Sequence, residues 1–239
     1  MRKRYLITFG VVLAVLVLDQ IMKFWIKSTF SYSDPSIPLI GDWFHLNYVE
    51  NQGMAFGAQL GGGMWGKLLL SIFRVVAIIG ITIYIFKQIK KPEVRLEFLI
   101  VGGLILAGAA GNLFDSMFYD FIFADKFDPC ISYNQLHGTG IFAECHYFGF
   151  TEEVEIRHRG FLFGNVVDMF QFNAIWPSWV PYLGGSQVFP AIWNVADAAI
   201  SVGVVMVLIR QKVYFPKEEE EVESDSKNDS ESDSVEQEN

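Results

Sequence analysis

Four stretches of the chain are apolar for so long that lipid, not water, has to be their solvent. They are "YLITFGVVLAVLVLDQIMKFWI" (5–26), "LLLSIFRVVAIIGITIYIF" (68–86), "EFLIVGGLILAGAAGNLFDSMFYDF" (97–121) and "AIWNVADAAISVGVVMVLI" (191–209). Each is about long enough to cross a hydrocarbon core of roughly 30 Å. The expected fold is a mainly α membrane protein with four transmembrane helices. The first run follows "MRKR", but no small-residue cleavage site comes after it, so it reads as a retained helix and not a signal peptide. Basic residues cluster at Arg2, Lys3 and Arg4, in "KQIKKPEVR" between the second and third runs, and at Arg210, Lys212 and Lys217. Threading four helices puts all three clusters on one side, so both termini are expected in the cytoplasm.

The chain is 51% hydrophobic and 15% aromatic, too apolar for an ordinary soluble domain. Its acidity is confined to the end: residues 217–239 hold 11 of the 27 acids and 2 of the 18 Lys and Arg, which leaves residues 1–216 neutral. So polar and self-repelling a segment buries too little to offset its ordering entropy, and a disordered cytoplasmic tail is expected. The two outer loops are unequal. Within residues 28–67, "WFHLNYVEN" has strand-like content and the glycines supply turns, so a small extracytoplasmic β element is expected. The excursion over 121–188 ends in Trp176, Trp179 and Tyr182, an aromatic cluster suited to the lipid headgroup level.

Polar residues inside these runs carry the functional signal. An ionisable group at the bilayer centre costs roughly 2.5–3.5 kcal/mol on insertion scales, which makes it a candidate site residue. Asp19 and Lys23 are spaced to pair on one helical face, and Asn112 with Asp115 and Asn194 with Asp197 repeat an amide and an acid three residues apart. All lie toward the outer ends of their runs and can converge on one pocket. Gly103, Ala107 and Gly111 recur every four residues, a stripe that lets a neighbouring helix approach closely.

The residue types narrow the chemistry. No histidine lies in an apolar run and no H-E-x-x-H occurs, so neither a histidine-activated nucleophile nor a zinc peptidase is supported. What remains is a carboxylate pair sharing one proton, with one acid as general base for water and its partner as acid toward the peptide carbonyl. No cofactor is required. A competing reading is a non-enzymatic carrier using Asp19, Asp115 and Asp197 as a proton or ion relay, which would need acids staggered through the membrane. Residues 121–160 hold Cys130 and Cys145 together with His137, His146 and His158. The spacing matches no common zinc signature, and a disulfide is expected over a metal site or free thiols.

The blocks "DQIMK" (19–23), "ENQGMAFG" (50–57), "GAAGNLFD" (108–115), "GNVVDMFQF" (164–172) and "WNVADAAI" (193–200) resemble, in order, the five motifs of the bacterial lipoprotein signal peptidase family, signal peptidase II. The resemblance implies an inner-membrane aspartic endopeptidase of four helices, 1–216, with a small extracytoplasmic β cradle. Such an enzyme removes signal peptides from diacylglyceryl-modified prolipoproteins, cutting before the lipidated cysteine. It implies Asp168 and Asp197 as catalytic aspartates, Asn194 as their support, and Asp19, Lys23, Asn51, Gly53, Asn112 and Asp115 as residues that shape the pocket and hold substrate. Prolipoproteins and membrane lipids are the implied partners, with no nucleic acid and a monomeric chain. Two departures stand out: Ser116 replaces the arginine that usually follows N-x-x-D, where a restored arginine is expected to be accepted, and 121–160 looks like an insertion.

Overall fold

A computed structural model describes residues 1–52, 63–147 and 149–216. In chain order the elements are α1 (Arg2–Thr29), β1 (Ile37–Ile40), β2 (Phe44–Asn51), α2 (Gly63–Ile89), α3 (Leu96–Ile122), β3 (Phe142–Tyr147), β4 (Phe150–Glu155), β5 (Val166–Phe172), β6 (Ile192–Trp193), α4 (Val195–Ile209) and the single turn α5 (Gln211–Tyr214). The first three long helices are apolar and long enough to cross a membrane, whereas α4 is apolar but only 15 residues long. Leu13, Ile21, Phe73, Val76 and Leu208 are exposed on α1, α2 and α4, as expected of helices whose outer faces meet lipid.

The fourth apolar run is not one helix, which corrects the expected start at 191. Ile192 and Trp193 pair with Gln171 and Phe170 of β5, and the helix begins only after Asn194. There the Asn194 side chain accepts from the Asp197 backbone N–H (2.9 Å), while the Asp197 carboxylate accepts from the Asn194 N–H (3.3 Å). This reciprocal capping box satisfies two amides that a helix start otherwise leaves open. Hydropathy cannot tell an apolar strand from an apolar helical turn; the capping residue can.

α3 is the central helix, packing against α1, α2 and α4. Two apolar clusters lie above and below the polar residues. One joins Val12, Ile85, Ile89, Leu99, Leu106 and Ala107, and the other joins Ile26, Tyr119 and Phe123 to Leu46, Val167 and Met169 of the sheet. Asp19 and Lys23 on α1, and Asn112 and Asp115 on α3, fall in sequence between the two. The sheet is antiparallel in the order β1-β2-β5-β6, with Val49 opposite Asp168 and Asn51 opposite Val166. β1 and β2 supply the β element expected within 28–67, and β5 and β6 join it from the chain after α3.

Close helix approach is made at two faces of α3. The stripe Gly103, Ala107 and Gly111 faces α1: a Cβ on Gly111 would meet the Asp19 Oδ2 at 2.7 Å. The approach to α4 comes from Gly108, whose Cβ would collide with the Ala196 carbonyl oxygen, and that backbone cannot swing aside as a side chain would. Gly108→Ala is therefore expected to push α4 off α3 at a cost of about 1–3 kcal/mol, read as a lowered midpoint of thermal unfolding in detergent, with activity lost as Asp197 moves.

The insertion is a β3–β4 hairpin tied down twice. Arg157 reaches the last turns of α3, giving Nη2 to Asp120 Oδ1 (2.7 Å) and Nη1 to Asp120 Oδ2 (2.9 Å), while its Nε donates to Asn134 Oδ1 (2.9 Å). Cys130 and Cys145 form a disulfide, with Cα atoms 5.4 Å apart across a separation of 15 residues. Replacing both cysteines with Ser is expected to loosen the insertion by about 3 kcal/mol, the chain-entropy value for a loop of that size, with faster proteolysis within 130–145 and unchanged helices.

Candidate active site

The polar residues of α1 and α3 meet at a fully buried ammonium. Lys23 Nζ lies 2.9 Å from Asp19 Oδ2, 2.8 Å from Asp115 Oδ2 and 2.9 Å from Asn112 Oδ1. Three donors on one amine meet three oxygens, so a group that would otherwise be costly to bury is fully coordinated. Gln20 braces the acids by donating to Asp19 Oδ2 (3.1 Å) and Asp115 Oδ1 (3.0 Å), and accepts from the Tyr119 hydroxyl (3.1 Å).

Each acid also holds a distant element by a backbone amide. Asp19 Oδ1 accepts from the Ala196 N–H in the first turn of α4 (2.9 Å), and Asp115 Oδ2 accepts from Val167 N–H on β5 (3.3 Å). A carboxylate at a helix N-terminus is favoured by the amides that point out of it. The centre thus fixes α4 and β5 relative to α1 and α3.

That places Asp168 and Asp197 on the two elements so fixed. Asn112 Nδ2 donates to Asp197 Oδ1 (2.8 Å). Asn194 serves both acids: its side-chain amide donates to Asp168 Oδ1 (2.6 Å), and its backbone N–H donates to Asp197 Oδ2 (3.3 Å). Asn51 on β2 donates to Asp168 Oδ2. Burial first, and the Asp197 carboxylate second, push Asp168 well above the ordinary carboxylate range, while Lys23 and the Asn194 amide pull the other way. Asp168 is nearly fully buried; Asp197 is partly open. Two acids held together, one disfavouring its charged form, can share a proton and polarise a water between them.

Of the residues singled out from sequence, Asp19, Lys23, Asn51, Asn112, Asp115, Asp168, Asn194 and Asp197 come together here; Gly53 lies outside the described residues, as does the tail 217–239. Sequence reasoning missed Gln20, which the helical pattern hid beside Asp19, and the cations of α2. Lys67 Nζ donates to the Gln52 carbonyl (2.8 Å) and to Ser116 Oγ (3.4 Å), and Arg74 Nη1 lies 3.5 Å from the same hydroxyl. The lone arginine of an apolar run was the available signal. Ser116 is fully buried between these cations, so Ser116→Arg alone would add a third positive charge there; its expected acceptance gives way to an expected loss of stability.

An integral membrane protein with two acids held by amides at the junction of apolar helices and a small antiparallel sheet has the make-up of a membrane-embedded aspartic peptidase. A family model described as Signal peptidase (SPase) II matches residues 11–213. The lipoprotein signal peptidase of Porphyromonas gingivalis (strain W83) is 36% identical over 206 residues, covering 84% of this chain and 80% of that protein. That of Amoebophilus asiaticus is 32% identical over 230 residues, covering 93% and 85%. A bacterial membrane enzyme solved in meso at 1.9 Å shares the fold with a TM-score of 0.50 at 22% identity, covering 85% of this chain and 91% of that one. The chain belongs to the signal peptidase II family, and is an aspartic peptidase of the bacterial inner membrane.

Proposed function

We propose that this chain removes signal peptides from diacylglyceryl-modified prolipoproteins, cutting before the lipidated cysteine, with Asp168 and Asp197 as the reacting pair. The observation that carries the reading is the single residue Asn194, which donates to both acids from its side chain and its backbone. With the pair sharing one proton, the ionised acid takes a proton from water as the water adds to the scissile carbonyl, and the protonated acid gives its proton to the carbonyl oxygen. Collapse of the tetrahedral carbon then breaks the C–N bond, with a proton passing to the leaving amine. The pair acts as a unit, so neither acid has a fixed role. Asn51, Asn112 and the Lys23 centre hold the two carboxyls in place.

The relay reading finds less support. Asp19, Asp115, Asp168 and Asp197 gather around Lys23, Asn112 and Asn194, whereas a relay needs acids spaced through the membrane. In this reading α4 is the fourth span, both termini face the cytoplasm, and the pair opens at the extracytoplasmic surface. The test is cleavage by purified protein in detergent of a diacylglyceryl-modified prolipoprotein and its unlipidated form. Cleavage of the first alone is the expected result; equal cleavage of both, or of neither, removes the proposal.

A further inference from the structure

Lys27 is a second buried ammonium of α1, one helical turn beyond Lys23. Its partner is not an acid of the Lys23 centre but Glu50 of β2, which also accepts from the Tyr48 hydroxyl. The rings of Phe123 and Tyr119 lie against the ammonium, at 5.4 Å and 5.8 Å to their centroids. Lys27 is 6% exposed and Glu50 4%, so neither offers a surface to substrate. A pair buried to this degree gains little over apolar side chains of similar volume, because desolvation offsets the attraction. What it supplies is a fixed point between the last turn of α1 and the strand that carries Asn51.

That point falls where the sheet needs one. β2 pairs with β5 in two parts: Phe44, His45 and Leu46 lie opposite Phe172, Gln171 and Phe170, and Val49, Glu50 and Asn51 lie opposite Asp168, Val167 and Val166, with an irregularity between Leu46 and Val49. A break of this kind separates the register of the second part from that of the first, and a slip of one residue turns every side chain to the other face. Glu50 is the middle residue of the second part. Because side chains alternate along a strand, drawing Glu50 toward α1 puts Asn51 on the opposite face, where its amide donates to Asp168 Oδ2. Beyond Asn51, the Gln52 carbonyl accepts from Lys67 of α2 (2.8 Å), which holds the backbone on the far side.

We propose that Lys27 is a positioning residue of the reaction: by gripping Glu50 it sets the register of the last three residues of β2, and so keeps the Asn51 amide on Asp168. This rests on the reading of Asp168 and Asp197 as the reacting pair. Displacing a catalytic group by about 1 Å costs up to about 100-fold in rate, even when the substitution is far from the chemistry.

The experiment measures kcat and KM of the purified full chain on lipidated prolipoprotein, together with the thermal midpoint in detergent. Lys27→Met is expected to lower kcat by about 10- to 100-fold with KM little changed, and Lys27→Arg to keep most of the parental kcat. Lys27→Met with Glu50→Gln removes both charges; it is expected to regain the parental midpoint while kcat stays low. Asn51→Ala is also expected to lower kcat, and adding Lys27→Met to it should cost little more, because Lys27 acts through Asn51. A folded Lys27→Met protein with parental kcat overturns the inference. So does a charge-free variant whose kcat returns with its midpoint, since the pair is then structural, and so do Lys27→Met and Asn51→Ala losses that multiply. Where the charge-removing variants do not fold, Glu50→Asp decides, because it keeps the charge and shortens the clamp by one methylene: lowered kcat supports the inference and parental kcat overturns it. In each of these cases inert Asp168→Asn and Asp197→Asn proteins leave the reacting pair standing; activity in those two would remove the pair itself.

Discussion

Asp168→Asn and Asp197→Asn are each expected to yield folded, membrane-inserted protein whose cleavage of lipidated prolipoprotein is slower by about 10²–10⁴, the usual contribution of a positioned acid–base group. An amide has nearly the shape of the carboxyl it replaces but neither takes nor delivers the proton. Asn194 holds both acids, and on the proposal that they react as one pair the double variant should lose little more than either single one. Losses that multiply would show two independent positioning residues in place of one reacting pair, and a single variant with near-parental turnover would end the assignment.

Stability gives the same substitution a second readout. Asp168 is held above the ordinary carboxylate range by burial and then by Asp197. A carboxyl whose pKa is raised in the fold contributes stability fully present below its unfolded value and lost as pH rises through its folded value. Asn at this position does not ionise, so the fall in thermal midpoint over that window should flatten in the variant. One of the hydrogen bonds from Asn51 and Asn194 is given up in exchange, because an amide offers a single oxygen to two donors. The expected signature is therefore a changed slope with pH, and a slope equal to the parent's would contradict it.

The second large effect is expected at Lys23. Lys23→Met removes the ammonium held between Asp19 and Asp115, both fully buried, and breaking a buried ionic network from one side costs about 3–5 kcal/mol. An exposed pair would cost about 0–1 kcal/mol, so the two cases separate clearly. Neutralising the acids as well, with Asp19→Asn and Asp115→Asn, should restore part of the loss, since the stranded charges are then gone. A Lys23→Met protein with the parental unfolding midpoint would mean that the acids find other compensation. The damage should extend to activity, because Asp19 also holds the first turn of α4 and Asp115 holds β5.

Much of this architecture is legible in the residues alone. Long apolar runs place helices because lipid leaves the backbone no other partner, and the strand-like content of "WFHLNYVEN" marks β2. The acids and amides inside those runs are legible for the same reason: their cost demands a use. What stays hidden is decided by geometry that hydropathy does not encode. Ile192 and Trp193 are as apolar as a helical turn, yet β5 offers them an edge to pair with. The small-residue stripe at Gly103, Ala107 and Gly111 is visible as a repeat but faces α1; the tighter contact with α4 falls on Gly108, which belongs to no repeat. Arg74 is readable as an arginine in an apolar run, but its target, a neutral serine on another helix, is not.

The short fourth helix has a consequence for the membrane around it. As the fourth span proposed above, fifteen residues would rise about 22 Å, against a hydrocarbon thickness of roughly 30 Å, and so could not match a relaxed bilayer from end to end. Mismatch of this kind is met by locally thinned lipid at fractions of a kcal/mol per Å. The enzyme would then sit in a dimple of its own making, with Asn194 at the floor. A substrate tethered by two acyl chains meets its peptide bond at a level set by lipid thickness, so turnover in vesicles of graded acyl length should fall as the bilayer thickens; an unchanged rate across the series would show that β6 and α5 absorb the difference.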